Sequence, residues 1–184
     1  MYRTLELTAH AKLNLTLRVV GRRSDGLHLL DGITVFCMFG DKLRVSESDG
    51  ADAVSLTGPF AAHVEGENIV SKAVHLYRAV SSSSSRYTIQ IEKNIPVAAG
   101  LGGGSCDAGA VLRALQRLSA VPIDDNALNK LAIALGADVP VCLACESVRM
   151  EGIGERLTAI GPVPALKLVL INPGVPITAG SIFR

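Results

Sequence analysis

Apolar and polar residues alternate at the start of the chain: Leu13, Leu15, Leu17 and Val19 interleave with Lys12, Asn14, Thr16 and Arg18. That period of two predicts a strand with one apolar and one polar face. Lys12 and Asn14, two positions apart, then point the same way. Gly21 to Gly26 reads as a turn with Asp25-Gly26 at its tip, and Ile33 to Val45 as further strand. Gly50 to Ala62 follows neither period. From Asn68 to Val80 the spacing of Ile69, Ala73, Leu76 and Val80 predicts an amphipathic helix. The serine run 81–85 reads as a loop. Tyr87, Ile89 and Ile91 alternate as a strand, and Ala108, Val111, Leu112, Leu115 and Leu118 mark a helix face. Asp124 to Leu135 predicts another helix, started by Asp124 or Asp125 and stopped by Gly136. Val139, Val141, Leu143 and Ala144 look like a buried strand, and Leu166 to Ile171 like an apolar strand ended by Asn172-Pro173-Gly174. The mixture predicts an α+β or α/β fold.

Composition narrows the function classes. Of 184 residues, 48% are hydrophobic but only 4% aromatic, so the core is aliphatic. With 18 basic and 17 acidic residues and a net charge of +1, the chain lacks the basic excess that phosphate-backbone affinity requires. It also lacks stacking aromatics, so a nucleic-acid partner is not expected. No apolar run reaches the length of a bilayer span, and the N-terminus has no signal-peptide pattern. The expectation is a soluble cytoplasmic protein with no membrane partner. Cys37, Cys106, Cys142 and Cys145 do not form a disulfide framework. Cys142-Leu-Ala-Cys145 is formally C-x-x-C, but a second ligand pair or a thioredoxin-like context is missing, so core cysteines are expected.

The segment with the strongest chemistry is Pro96-Val97-Ala98-Ala99-Gly100-Leu101-Gly102-Gly103-Gly104-Ser105-Cys106-Asp107, between a predicted strand and a predicted helix. Its glycines permit positive φ and close backbone approach. The helix that follows offers free N–H groups and the positive end of its dipole, an arrangement suited to phosphate. G-x-G-x-x-G fails because Ser105 stands where the last glycine would be. G-x-x-x-x-G-K-[ST] fails for want of a lysine. A bland turn before a surface helix is the competing reading.

This loop resembles the P-x-x-x-G-L-G-[GS]-[GS] motif of the GHMP kinases, a superfamily that includes galactokinase and the homoserine, mevalonate and phosphomevalonate kinases. Three further stretches narrow the resemblance: Ala11-Lys12-Leu13-Asn14-Leu15, Gly21 to His28, and Leu135-Gly136-Ala137-Asp138-Val139-Pro140; Glu151-Gly152-Ile153-Gly154-Glu155 and Pro173-Gly174-Val175 fit too. Together they resemble the branch that phosphorylates the 2-hydroxyl of 4-diphosphocytidyl-2-C-methyl-D-erythritol with ATP in non-mevalonate isoprenoid synthesis. The likeness runs from about Thr8 to Phe183. It implies an α+β fold, with residues 1–160 forming a GHMP N-terminal catalytic domain of the ribosomal protein S5 domain 2-like type. Residues 161–184 would begin a second, ferredoxin-like domain that is incomplete here.

The resemblance also implies site roles. Asp138 is the expected catalytic base and Lys12 its partner. Residues Pro96 to Cys106, with Asn68 and Lys93 near adenine and ribose, are expected to bind ATP. Ser105 would reach phosphate or Mg²⁺, although an N-cap serine would look the same. Asn14, His28, Thr178 and Phe183 are expected to contact the cytidine-diphosphate-linked substrate. Taken singly, Asp138 reads as a linker carboxylate, Lys12 as a solvated strand lysine and His28 as a surface histidine.

The chain departs from the family pattern at three places. Leu27 replaces a tyrosine and would weaken the hold on cytosine. Cys106 replaces a serine, and a thiol is a poor ligand for a hard metal. Ala98 and Ala99 stand where glycine is common and would stiffen the loop. Alternatives remain: another GHMP kinase, or a nucleotide-binding remnant without turnover.

Overall fold

The computed structural model describes residues Tyr2 to Asn172. Two long strands, β1 (Thr4–Arg22) and β2 (His28–Ser48), pair antiparallel along their length around the turn at Asp25-Gly26. The first strand therefore runs well beyond the stretch whose alternation announced it. β3 (Ala53–Thr57) leads through a short 3₁₀ turn at Ala61–His63 to α1 (Ile69–Ser81) and returns as β4 (Arg86–Glu92), parallel to β3. After β4 come α2 (Gly103–Leu118), α3 (Asp125–Leu135), α4 (Val139–Ala144), β5 (Val148–Gly152) and β6 (Arg156–Ala159). The sheet order is β3-β4-β2-β5-β6, with β1 also paired to β2. The stretch Gly50 to Ala62, which followed no period, thus holds β3 and the start of the 3₁₀ turn.

One face of this sheet is wet and the other carries the helices, and the side-chain alternation shows why. In β4, Tyr87, Ile89 and Ile91 are buried while Arg86, Gln90 and Glu92 are exposed. Leu43 and Val45 of β2 face inward on the same side. An antiparallel sheet can leave its polar face in water while its apolar face packs. The helix layer is centred on α2, whose Val111, Leu112, Ala114 and Leu115 have no exposed surface. α2 packs against α1, α4, β1 and β2, so its ends are fixed from several sides.

Helix starts follow local chemistry. The Asn68 carboxamide accepts from the Val70 amide and caps α1; Asp124 accepts from Ala127 and caps α3.

Two expectations need correction. The apolar run around Cys142 is not a strand but α4. Pro140 sits in its first turn, where proline is favoured because its missing N–H would be unpaired anyway. Leu166 to Ile171 forms no strand among the described residues. Leu166, Val169 and Ile171 lie open to solvent, and a lone apolar strand has no hydrogen-bonding neighbour to hold it extended. Among the described residues, no helix is long and apolar enough to cross a membrane.

Candidate active site

The glycine-rich segment lines a cavity of about 340 Å³ together with Glu67, Asn68, Ile69 and Lys93. Pro96 to Gly100, Gly102 to Ser105, Asn68 and Lys93, all expected at the nucleotide, stand in its wall. Leu101 and Cys106 do not. Leu101 turns its side chain toward a neighbouring hollow with Phe39, Phe60 and Leu168, while Cys106 is buried behind the loop.

Helix α2 begins earlier than its apolar pattern announces, inside the glycine run. Gly102 is its N-cap, in the left-handed region at φ 66°, with no side-chain cap bond. Ser105 therefore lies in the first turn and is not the N-cap. A helix start with no side chain over it leaves its first N–H groups facing the cavity, beside the positive end of the helix dipole. Ala98 also adopts positive φ, at 56°. For a residue with a Cβ this conformation costs about 1–2 kcal/mol, so alanine at this position strains the loop as well as stiffening it.

The loop is tied to β1 at the expected catalytic lysine. The Lys12 amide donates to the Leu101 carbonyl at 2.9 Å. A Cβ on Gly102 would lie 3.3 Å from Lys12 Cβ, so the loop's backbone rides directly on the lysine stem. Register shifts in the β1–β2 ladder fall between His10 and Lys12 and between Asn14 and Thr16. Bulges re-aim side chains, and here they bracket the Lys12–Asn14 step. Lys12 is consequently buried, 4% exposed, on a face its alternation marked as polar.

Lys12 Nζ lies 2.9 Å from Asp138 Oδ1. The two side chains differ sharply in exposure, 5% for the lysine and 44% for the aspartate. The carboxylate is thus held by a buried cation while one side stays open to an incoming group. Asp138 is the residue before α4, and its side chain makes no cap bond, which leaves it free for the lysine. Arg113 of α2 donates to the Cys142 and Leu143 carbonyls at 2.7 and 2.9 Å, anchoring the far end of the same helix.

Beneath the loop sits a charged cluster that sequence reasoning missed in part. Lys93 Nζ donates to Asp41 Oδ2 and, at 2.6 Å, to Asp107 Oδ2. Asp41 is fully buried, and its other oxygen accepts from the amides of Asn94 and Ile95, the latter at 2.7 Å. Asp107 Oδ1 is buried with no hydrogen-bond partner. Burial pushes the Asp107 carboxyl up to about 7; Asp41 nearby adds to the rise and Lys93 opposes it. Burial pulls Lys93 down, but Asp107 and Asp41 outweigh it and hold the ammonium above its ordinary value. Lys93 is therefore committed to two carboxylates at the cavity floor. The sequence signal for this cluster was a single acidic residue in each of two stretches, Phe36 to Val45 and Cys106 to Val111.

The expected substrate contacts are dispersed. The Thr34 hydroxyl donates to Asn14 Oδ1 at 2.9 Å, and the unbroken register from Lys12 to Asn14 keeps both on one face of β1. His28 opens β2, paired across from Arg22. Leu27 is 47% exposed on the preceding turn. Thr178 and Phe183 lie outside the described residues, as do Pro173, Gly174 and Val175.

Comparison with known proteins accords with this geometry. Residues 68–146 match the family described as GHMP kinases N terminal domain. The chain is 44% identical to the 4-diphosphocytidyl-2-C-methyl-D-erythritol kinase of Mesorhizobium japonicum over 179 residues, 95% of this chain and 60% of that protein. The enzyme of the same name from Paramagnetospirillum magneticum is 44% identical over 182 residues, 98% of this chain and 64% of its own length. A crystal structure of 4-(cytidine 5'-diphospho)-2C-methyl-D-erythritol kinase matches with a TM-score of 0.72 at 36% identity, over 90% of this chain and 61% of that one. The homoserine kinase of Cytophaga hutchinsonii, at 20% identity, TM-score 0.62 and coverage of 88% and 53%, shares the fold. The chain thus spans between 60% and 64% of the length of these two curated relatives.

Proposed function

We infer that this chain, whose residues 68–146 match the GHMP kinases N terminal domain, takes part in transferring the γ-phosphoryl group of ATP to the 2-hydroxyl of 4-diphosphocytidyl-2-C-methyl-D-erythritol. The observation that carries this reading is the Lys12–Asp138 pair at 2.9 Å, set directly beside the glycine loop. The choice of acceptor rests on the relatives of that name and on the motifs around His28 and Asp138.

Phosphoryl transfer asks the protein mainly for positioning and charge stabilisation. The N–H groups at the start of α2 supply donors for the phosphates. Asp138, half open to solvent, accepts the proton of the substrate hydroxyl. Lys12, 2.9 Å away, fixes the orientation of that carboxylate. The loop's N–H groups suit the phosphates, and Ser105, its one hydroxyl, is the side chain that would hold magnesium brought by ATP. Among the described residues, no three His, Cys, Asp or Glu side chains gather into a cage, and this cation is commonly held through substrate phosphates. When bound, it would offset negative charge on the β- and γ-phosphates. A cytoplasmic setting belongs to the same reading.

Release of ADP in the presence of the cytidine-linked alcohol tests the reading. Asp138→Asn keeps the side-chain shape and removes the base. It should lower turnover by roughly 10²–10⁴-fold while ATP affinity stays close to that of the unsubstituted chain. Equal turnover by both proteins would remove Asp138 from the mechanism.

A further inference from the structure

The chemistry above leaves the thiols unused, and two of them meet at its edge. Cys106 Sγ and Cys142 Sγ are 3.4 Å apart, one in the first turns of α2 and the other in α4. Their backbones are close as well. Gly109 lies one helical turn beyond Cys106 on the same face of α2. A Cβ there would come within 2.6 Å of the Cys142 carbonyl carbon and 2.7 Å of its oxygen. The two helices therefore touch backbone to backbone where the sulfurs face each other. Closing to the ~2.05 Å of a disulfide needs a rotation about each side chain together with a small shift of α4 against α2.

The position of the pair gives it a consequence. Cys106 lies under the loop: its thiol points at the Leu101 carbonyl at 3.8 Å, and a Cβ on Gly102 would sit 3.6 Å from its sulfur and 3.3 Å from Lys12. The Cys142 amide donates to the Asp138 carbonyl at 3.2 Å. One thiol is thus seated against the expected lysine, and the other is one turn from the expected base.

We propose that Cys106 and Cys142 form an intramolecular disulfide site, oxidised by a peroxide or a small-molecule disulfide, that draws α2 and α4 together and shifts Asp138 relative to Lys12. In the reaction with hydrogen peroxide the two thiols give up two protons and two electrons, one S–S bond forms, the O–O bond breaks, and two waters leave. A dithiol reductant reverses it by thiol–disulfide exchange: its own two thiols close to a disulfide, and their two protons and two electrons return Cys106 and Cys142 to thiols. The effect on turnover rests on the kinase reading; formation of the bond does not.

The test uses the full chain, treated with hydrogen peroxide, alkylated and digested with trypsin without reduction. Cleavage after Lys93, Arg113, Lys130 and Arg149 puts Cys106 in the peptide 94–113 and Cys142 with Cys145 in 131–149. These two peptides should be recovered joined from the unsubstituted chain and from Cys145→Ser, and separate from Cys142→Ala. Turnover should fall on the order of tenfold to a hundredfold, as expected when reacting groups are displaced by about 1 Å, and return with dithiothreitol. Peptides recovered separate from the unsubstituted chain and from Cys145→Ser would overturn the site, as would joining that persists in Cys142→Ala or is lost in Cys145→Ser. Joined peptides with undiminished turnover would overturn the coupling to Asp138. A chain with no turnover before oxidation would count against the kinase reading while leaving the peptide result to decide the disulfide.

Discussion

Asp107 is where the chemistry of a single residue is most exposed to measurement. Its carboxyl is raised from 3.8 to about 7, burial being the main cause. In the unfolded chain this group loses its proton near 4, whereas the folded protein holds it until about 7. Between those values the unfolded state binds fewer protons, so folding stability falls as pH rises through the window and then levels off. Lys93 is raised above a value already far beyond this range, so it stays charged throughout and adds no slope. Asp107→Asn keeps the shape and an oxygen for Lys93 but cannot ionise. Its unfolding free energy should drop less between pH 5 and pH 8 than that of the unsubstituted chain. The difference should be on the order of 1–3 kcal/mol, measured by urea denaturation at both values. A parallel fall in the two proteins would place the titration elsewhere.

At the scale of elements, the α2–α4 contact decides where Asp138 stands. Gly109 lets the two helices meet, because any Cβ there would strike the backbone of Cys142 and Leu143 at 2.6–2.7 Å. Backbone cannot move aside as a side-chain tip can. Gly109→Ala should therefore cost about 1–3 kcal/mol through overpacking, despite alanine's better helix propensity. It should also lower turnover, since Asp138 immediately precedes α4. Thermal unfolding and an ADP-release assay check both parts; a stabilised variant would show that propensity outweighs the clash.

The same contact shows what the sequence made legible. The cradle from Pro96 to Ser105 was readable because glycine spacing reports directly on backbone freedom. α1, α3 and the β4 alternation were readable because each buries one face only. α4 was not: its six residues are all apolar, and a short run with no polar position carries no period to separate helix from strand. Pro140 in its first turn was the available sign. Lys12 and Asp138 stand far apart in the chain, and their pairing came from resemblance, not from any local signal. The bulges that bury Lys12 lie in the ladder with β2, so an alternation read from β1 alone could not place it.

Across the whole molecule, the Lys93 cluster joins parts that pack separately. Asp41 belongs to β2, Lys93 follows β4, and Asp107 lies in α2, so one ammonium links two strands of the sheet to the central helix under the loop. A buried ion pair adds little net stability over a well-packed apolar substitute, but removing one partner leaves charge uncompensated. Here the removed partner would serve two carboxylates, one of them already short of a hydrogen bond at Oδ1. Lys93→Met fills much of the same volume and leaves both acids facing each other. The loss should be about 3–5 kcal/mol near neutral pH, a fall in Tm on the order of 10 °C for a chain of this size. The deficit should shrink on acidification. Without the ammonium, protonating either carboxyl removes the repulsion, and the native state then gains protons more readily than the unfolded one. Scanning calorimetry of both proteins at pH 5 and pH 7.5 separates this from a simple packing defect, which would cost the same at either pH. A deficit independent of pH would mean that the lysine's stem, rather than its charge, holds sheet and helix together.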